Sequence, residues 1–144
     1  MLIGIFGESC TGKTTAAEKL GKLLNAEVFT GKDYLRLAKN EIIAQKQFCK
    51  RLEAAVSGEN MVYVIAEREH LKLLPAGAVR ILMTADLPMI EERFAKRMHG
   101  TLPPPVKTML EKKHGIFDQE DHNYHIHNGE NLDAVCASIA EKVI

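Results

Sequence analysis

The stretch Leu2-Ile3-Gly4-Ile5-Phe6-Gly7-Glu8-Ser9-Cys10-Thr11-Gly12-Lys13-Thr14-Thr15 sets a glycine-punctuated loop between two apolar patterns of different period. Leu2 to Phe6 is a nearly continuous apolar run, as a strand buried on both faces of a parallel sheet requires. From Thr14 onward, Ala16, Ala17, Leu20, Leu23 and Leu24 recur at three- and four-residue steps, which predicts an amphipathic helix ending near Asn25. Between them, Gly7, four residues and then Gly12-Lys13-Thr14 match the phosphate-loop pattern known as Walker A, in the strand-loop-helix context the pattern demands. Gly7 and Gly12 let the loop from Gly7 through Glu8, Ser9, Cys10 and Thr11 to Thr15 turn its N–H groups inward, and the helix after it adds its positive N-terminal end. Lys13 is then expected to reach the β- and γ-phosphates of ATP, and the Thr14 hydroxyl to ligate Mg²⁺.

Working outward, Glu27 to Phe29 reads as a second strand, and Thr30-Gly31-Lys32-Asp33 as a turn and helix start. Ile42, Ile43, Phe48, Leu52, Ala55 and Val56 carry a helical period that Ser57-Gly58 closes. Met61 to Ala66 and Ala78 to Thr84 are the third and fourth buried strands. Asp86 and Pro88 predict an N-cap and first turn for a helix running to about His99, and Gly100-Thr101-Leu102-Pro103-Pro104-Pro105 breaks it. A weaker strand at Tyr124 to His127 and a helix from Leu132 to Val143 complete the chain. Strands alternating with helices predict an α/β, three-layer P-loop fold: a five-stranded parallel sheet, helices on both faces and a short lid at residues 100–121. No linker or repeat splits the 144 residues, so one domain is expected.

Composition narrows the classes of function. The 19 Lys+Arg balance the 19 Asp+Glu, which argues against bulk electrostatic binding of nucleic acid or of an anionic membrane. The apolar run at the start is far shorter than a membrane span and lacks the flanks of a signal peptide. Cys10, Cys49 and Cys136 form neither a disulfide framework nor a zinc array, so a cytoplasmic protein is expected. Cys10 sits in the loop, where redox control competes with a simpler filling role.

Beyond the loop, the order of elements resembles the small nucleoside and nucleotide kinases, the cytidylate and adenylate kinase group, with shikimate kinase as a cousin. Leu74 to Pro88, followed by Glu91-Glu92-Arg93-Phe94-Ala95-Lys96-Arg97, is similar to the cytidylate kinase stretch in which a proline turn leads to the fourth strand, a Thr-Ala end and an arginine-bearing helix. The resemblance implies phosphoryl transfer from Mg-ATP to a small acceptor bound at the carboxyl edge of the sheet. It implies an acidic residue near Mg²⁺ and the acceptor, here Asp33, for which helix capping is the even rival. It implies acceptor contacts by Arg36, for which a solvated helix face is the rival. Arg68 aligns with the arginine of the Gly-Arg-Asp motif, with Glu67 and Glu69 in place of its glycine and aspartate. Glu67 stands where an aspartate usually holds the Mg²⁺ shell. Arg93 and Arg97, four apart on one helix face, take the place of arginines that lie over the transferring phosphoryl, and their rival is ion pairing with Glu91 or Glu92.

The lid departs from that pattern. Residues 100–121 contain no arginine, only Lys107, Lys112 and Lys113 as cations, and lysine lacks the planar fork that clamps phosphoryl oxygens. Pro103-Pro104-Pro105 predicts a polyproline start to the lid. His125 and His127 would share one strand face, but without further ligands in sequence they read as ordinary histidines more readily than as a zinc pair. The expectation is an ATP- and Mg²⁺-dependent kinase for a small acceptor, foremost a nucleoside monophosphate. The alternatives are a nucleotide-binding module or slow ATPase, and a kinase for a non-nucleotide metabolite.

Overall fold

The computed structural model describes residues 1–143. Five strands, β1 (Leu2–Gly7), β2 (Glu27–Thr30), β3 (Met61–Ile65), β4 (Val79–Thr84) and β5 (Tyr124–His127), form one sheet in the order β2-β3-β1-β4-β5, with every pairing parallel. Six helices connect them: α1 (Lys13–Leu24), α2 (Glu41–Ala55), α3 (Arg68–Leu71), α4 (Leu87–Arg97), α5 (Pro104–Lys113) and α6 (Leu132–Glu141), with a 3₁₀ turn at Asp33–Leu37. The predicted order and type of strands are those observed.

Period-two alternation divides β1 between two cores. Leu2 and Phe6 join Phe29, Phe48, Leu52, Tyr63 and Phe117 on one face. Ile3 and Ile5 join Ala16, Leu20, Val62, Ile81, Ile126 and Ile139 against α1 and α6 on the other. On the first face, Phe48 meets the rings of Phe29, Tyr34 and Tyr63 at centroid distances of 5.0, 5.2 and 4.8 Å. Burying such a side chain stabilises the fold by about 1.5–3 kcal/mol. The Tyr63 hydroxyl crosses to donate to the Gly31 carbonyl at 2.8 Å, which ties the end of β2 to β3 and fixes that rim of the sheet.

Two local expectations need correction. Pro103 caps α5 in an extended conformation and Pro104 and Pro105 fill its first turn, so the triple proline starts a helix instead of a polyproline segment. The fixed φ of proline suits that turn, where its missing N–H has no partner to lose. Asp86 occupies the N-cap position of α4 but makes no capping bond. Its carboxylate instead accepts from Asn128 Nδ2 at 3.0 Å and meets His127 Nε2 at 3.1 Å, and these bonds hold its pKa below the usual value. Asp86 thereby joins the ends of β4 and β5.

Candidate active site

The loop leaves β1 through Gly7, where close packing excludes a side chain: a Cβ there would sit 2.1 Å from the Met83 carbonyl oxygen. Gly12, by contrast, is needed for its backbone, with φ of +94° just before α1. The Glu8 carbonyl turns into the loop and accepts from Lys13 Nζ at 2.5 Å and Thr11 Oγ1 at 2.8 Å. With its ammonium held on a backbone oxygen, Lys13 is buried, and burial pulls its pKa down to about 8; Arg97 pushes the same way, while Cys10 and Glu8 oppose. Anionic phosphate in the loop would favour the charged form and reverse that shift.

Two cavities flank the loop and share Cys10, Gly12, Thr15 and Arg97. The first, about 370 Å³, adds Thr11, Met83, Arg93, Gly129 and Leu132, and so lies toward the β5–α6 turn. The second, about 290 Å³, adds Lys13 and Thr14 from α1, Thr30 and Gly31 from the end of β2, and Ala66, Glu67 and His70 beyond β3. The carboxyl ends of β1, β2 and β3 therefore open on it, the usual ligand position in an open α/β sheet.

Of the residues singled out in the sequence, Lys13, Thr14, Ser9, Thr15, Glu67 and Arg97 come together around the second cavity, and Arg93 lines the first. Arg93 Nη1 donates to the Cys10 carbonyl at 2.9 Å, which anchors α4 to the loop. The rival ion pairs with Glu91 or Glu92 do not form among the described residues; Glu92 pairs with Lys96. Asp33 starts the 3₁₀ turn instead of capping it, and its carboxylate accepts from the Thr30 N–H at 2.9 Å, beside the second cavity. Arg36 and Arg68 lie elsewhere. Arg36 stacks 4.3 Å over Phe29 and faces Glu27, while Arg68 pairs with Glu120 at 3.0 Å.

The Thr14 hydroxyl and the Glu67 carboxylate make no hydrogen bond to another described side chain or backbone group. Two uncommitted oxygen donors on one cavity suit Mg²⁺, which prefers hard oxygen ligands. Among the described residues no group of three or more His, Cys, Asp or Glu is placed to hold a metal ion. His125 and His127 instead share the Thr84 hydroxyl, each at 2.7 Å. Burial, with His122 and His127 nearby, lowers the pKa of His125. The Cys10 thiol is buried against Ala85, Ile90 and Leu110.

Two features had no sequence signal. The Glu8 carboxylate accepts from the Gly115 N–H at 3.0 Å and meets His114 Nδ1 at 3.0 Å, so the segment after α5 is tied to the phosphate loop by an acid and a histidine, not by an arginine. His70, also unmarked in sequence, is buried on the second cavity, and its Nδ1 has no hydrogen-bond partner. Leaving such a group unpaired costs about 1–3 kcal/mol.

No known family profile and no curated relative matches the sequence. Solved structures do match over nearly the whole chain. An uncharacterized protein from Eubacterium ventriosum superposes with a TM-score of 0.68 at 16% identity, covering 99% of this chain and 98% of its own. Shikimate kinase from Acinetobacter baumannii, in complex with shikimate, gives 0.64 at 15% identity, covering 98% and 93%. A gluconokinase from Sinorhizobium meliloti gives 0.60 at 15% identity, covering 98% and 94%. The chain thus has the fold of the P-loop kinases. The shared architecture is that of the cousin group and the sugar-acid kinases, and the specific likeness to cytidylate and adenylate kinases is not part of what these superpositions show.

Proposed function

We propose that the protein is a small-molecule kinase that transfers the γ-phosphoryl group of Mg-ATP to an acceptor bound in the second cavity. The observation that carries this reading is the pair of cavities meeting at one phosphate loop, with Arg97 on both. Donor and acceptor on opposite sides of the loop give the in-line geometry that phosphoryl transfer needs. Its kinase-fold neighbours support the same class.

In this reading the backbone N–H groups of Gly7 to Thr15 hold the phosphates, and Lys13 leaves the Glu8 carbonyl to meet the β- and γ-oxygens. Thr14 and Glu67 would hold Mg²⁺, which would supply charge neutralisation there. Arg97, between the cavities, offsets charge that grows on the transferring group, and Arg93 secures the loop from the nucleotide side. Asp33 accepts the acceptor's proton from its position next to Thr30. Three free cysteines support a cytoplasmic setting, and no described helix is long and apolar enough to cross a membrane.

The nucleoside monophosphate expectation relies on Arg36 and Arg68 for the acceptor phosphate, and both are paired outside the cavity. That favours a non-nucleotide metabolite as acceptor. ADP release, coupled to a spectrophotometric readout, tests the class: turnover that depends on one added acceptor supports a kinase. Slow ADP release that is indifferent to every acceptor would make the protein an ATPase or nucleotide-binding module.

A further inference from the structure

Resting on the kinase reading above, we propose that the acceptor is a small uncharged polyhydroxylated compound and that His70 recognises its hydroxyl groups. The cations on the second cavity are Lys13 and Arg97, and both belong to the transferring phosphates. The remaining wall, Thr30, Gly31, Val64, Ala66, Glu67 and His70, presents one carboxylate and no lysine or arginine. Neither Lys32 nor Asp33, which follow Gly31 in the chain, lines it; Asp33 stands beside it, its carboxylate on the Thr30 N–H.

A phosphate or carboxylate on the acceptor can only accept hydrogen bonds, and sites built for one supply donors in fixed geometry, most often an arginine fork. Here Arg36 and Arg68 are spent on Glu27 and Glu120, and that part of the wall offers an anionic acceptor no arginine fork or ammonium of its own. A hydroxyl group both donates and accepts. That matches an imidazole, which offers both capacities, and a threonine hydroxyl.

His70 has that capacity unspent. Its side chain is 7% exposed, Nδ1 has no partner, and Nε2 stands 3.7 Å from Glu69 Oε1, too far for a hydrogen bond. Among the described residues it holds the one buried side-chain nitrogen or oxygen left without a partner. The ring is nonetheless well positioned. Its backbone N–H donates to the Glu67 carbonyl at 3.1 Å, and its plane meets Tyr34 edge-on at 6.3 Å. A buried polar group that the fold orients but does not satisfy is suited to bind a ligand. In the reaction, the acceptor oxygen bonds to the γ-phosphorus as the bond from that phosphorus to the β–γ bridging oxygen breaks. ADP leaves with the electron pair, and the hydroxyl proton passes through water to Asp33, beside the cavity at Thr30.

The test is acceptor-dependent ADP release with glycerol, xylitol, ribose, glucose and myo-inositol on one side and AMP, CMP, gluconate and shikimate on the other. Turnover with one or more of the neutral compounds, and none with the anionic ones, is expected. Turnover confined to an anionic compound would overturn the proposal and leave the kinase reading standing; acceptor-independent ADP release across both sets would overturn both. With the best neutral acceptor, His70→Phe keeps the ring volume and removes both nitrogens. It is expected to raise the acceptor KM about tenfold or more with a much smaller change in kcat, and His70→Gln to recover part of the loss. An unchanged acceptor KM in a His70→Phe protein whose melting temperature matches the parent would overturn the role of His70.

Discussion

The two sides of the phosphate loop are built on different principles. The first cavity, the proposed nucleotide side, combines glycine and arginine, Gly12, Gly129, Arg93 and Arg97, with the apolar Met83 and Leu132. The second cavity, the proposed acceptor side, adds Thr30, Gly31, Glu67 and His70, and among the described residues its lysine and arginine are Lys13 from α1 and Arg97 from α4. A nucleotide's phosphates carry the same charge whatever the acceptor is, so on the proposed reading the first side calls for donors and positive charge at its phosphate end. On the same reading the second distinguishes one small molecule from others, through a few neutral groups beside Glu67. Nucleotide binding and acceptor choice can therefore fail separately in this molecule.

The largest effect is expected at Lys13, which lines the second cavity at the phosphate loop that the two cavities share. Lys13→Ala should lower turnover by about 10²–10³-fold with any acceptor, because it removes a buried donor aimed at the transferring group; steady-state kinetics with a thermal melt as control reads this. Next, Arg97→Ala should lower kcat by about 10²-fold, while Arg93→Ala, confined to the nucleotide side, should act mainly on the KM for ATP. If the two variants split the same way between kcat and KM, the two-sided picture fails.

A smaller effect comes from pH. The Lys13 pKa of about 8 lies below its ordinary value, so the unfolded chain holds that proton more tightly than the folded one. Between about pH 8 and the unperturbed lysine range, folding stability from this group therefore rises with pH. Nucleotide binding runs the other way, since phosphate needs the ammonium. ATP affinity should fall above about pH 8, by at most tenfold per pH unit, and calorimetry in buffers of different ionisation enthalpy should show proton uptake on binding. No proton uptake at pH 8 to 9 would contradict the placement of Lys13 on the phosphates.

The least of the expected effects concerns the tie between the loop and the segment after α5. Glu8→Gln weakens two bonds, to His114 and to the Gly115 N–H, without emptying the space. A loss of about 1–2 kcal/mol in unfolding free energy is expected by denaturant titration, with a change of a few fold in the KM for ATP. Full retention of stability would mean that the tie contributes nothing.

Much of the architecture is legible in the sequence because it is local. Leu2 to Thr15 carries strand, loop and helix in contiguous sequence, and each buried strand is an apolar run that periodicity detects. The acceptor side is legible only in part. Glu67 comes directly after the end of β3, but Arg36 and Arg68 read as acceptor contacts because nothing local reveals Glu27 and Glu120 as their partners; those are tertiary contacts, the second 52 residues away. His70 sits in a helix of four residues, too short to show a period. Its burial comes from packing against Tyr34, which no pattern of spacing encodes. The triple proline is ambiguous for a different reason: the same fixed φ serves a polyproline segment and a first helical turn, and residues 106–113 decide between them by continuing as a helix.

Transfer to an acceptor instead of to water is what separates a kinase from an ATPase on this fold. The most direct measurement is the fate of the label from γ-labelled ATP incubated with the protein, Mg²⁺ and the neutral acceptor panel, separated by chromatography. Label in a phosphate ester of one acceptor, lost in Lys13→Ala, is the predicted result. Label recovered only as inorganic phosphate, at a rate no acceptor alters, would contradict it.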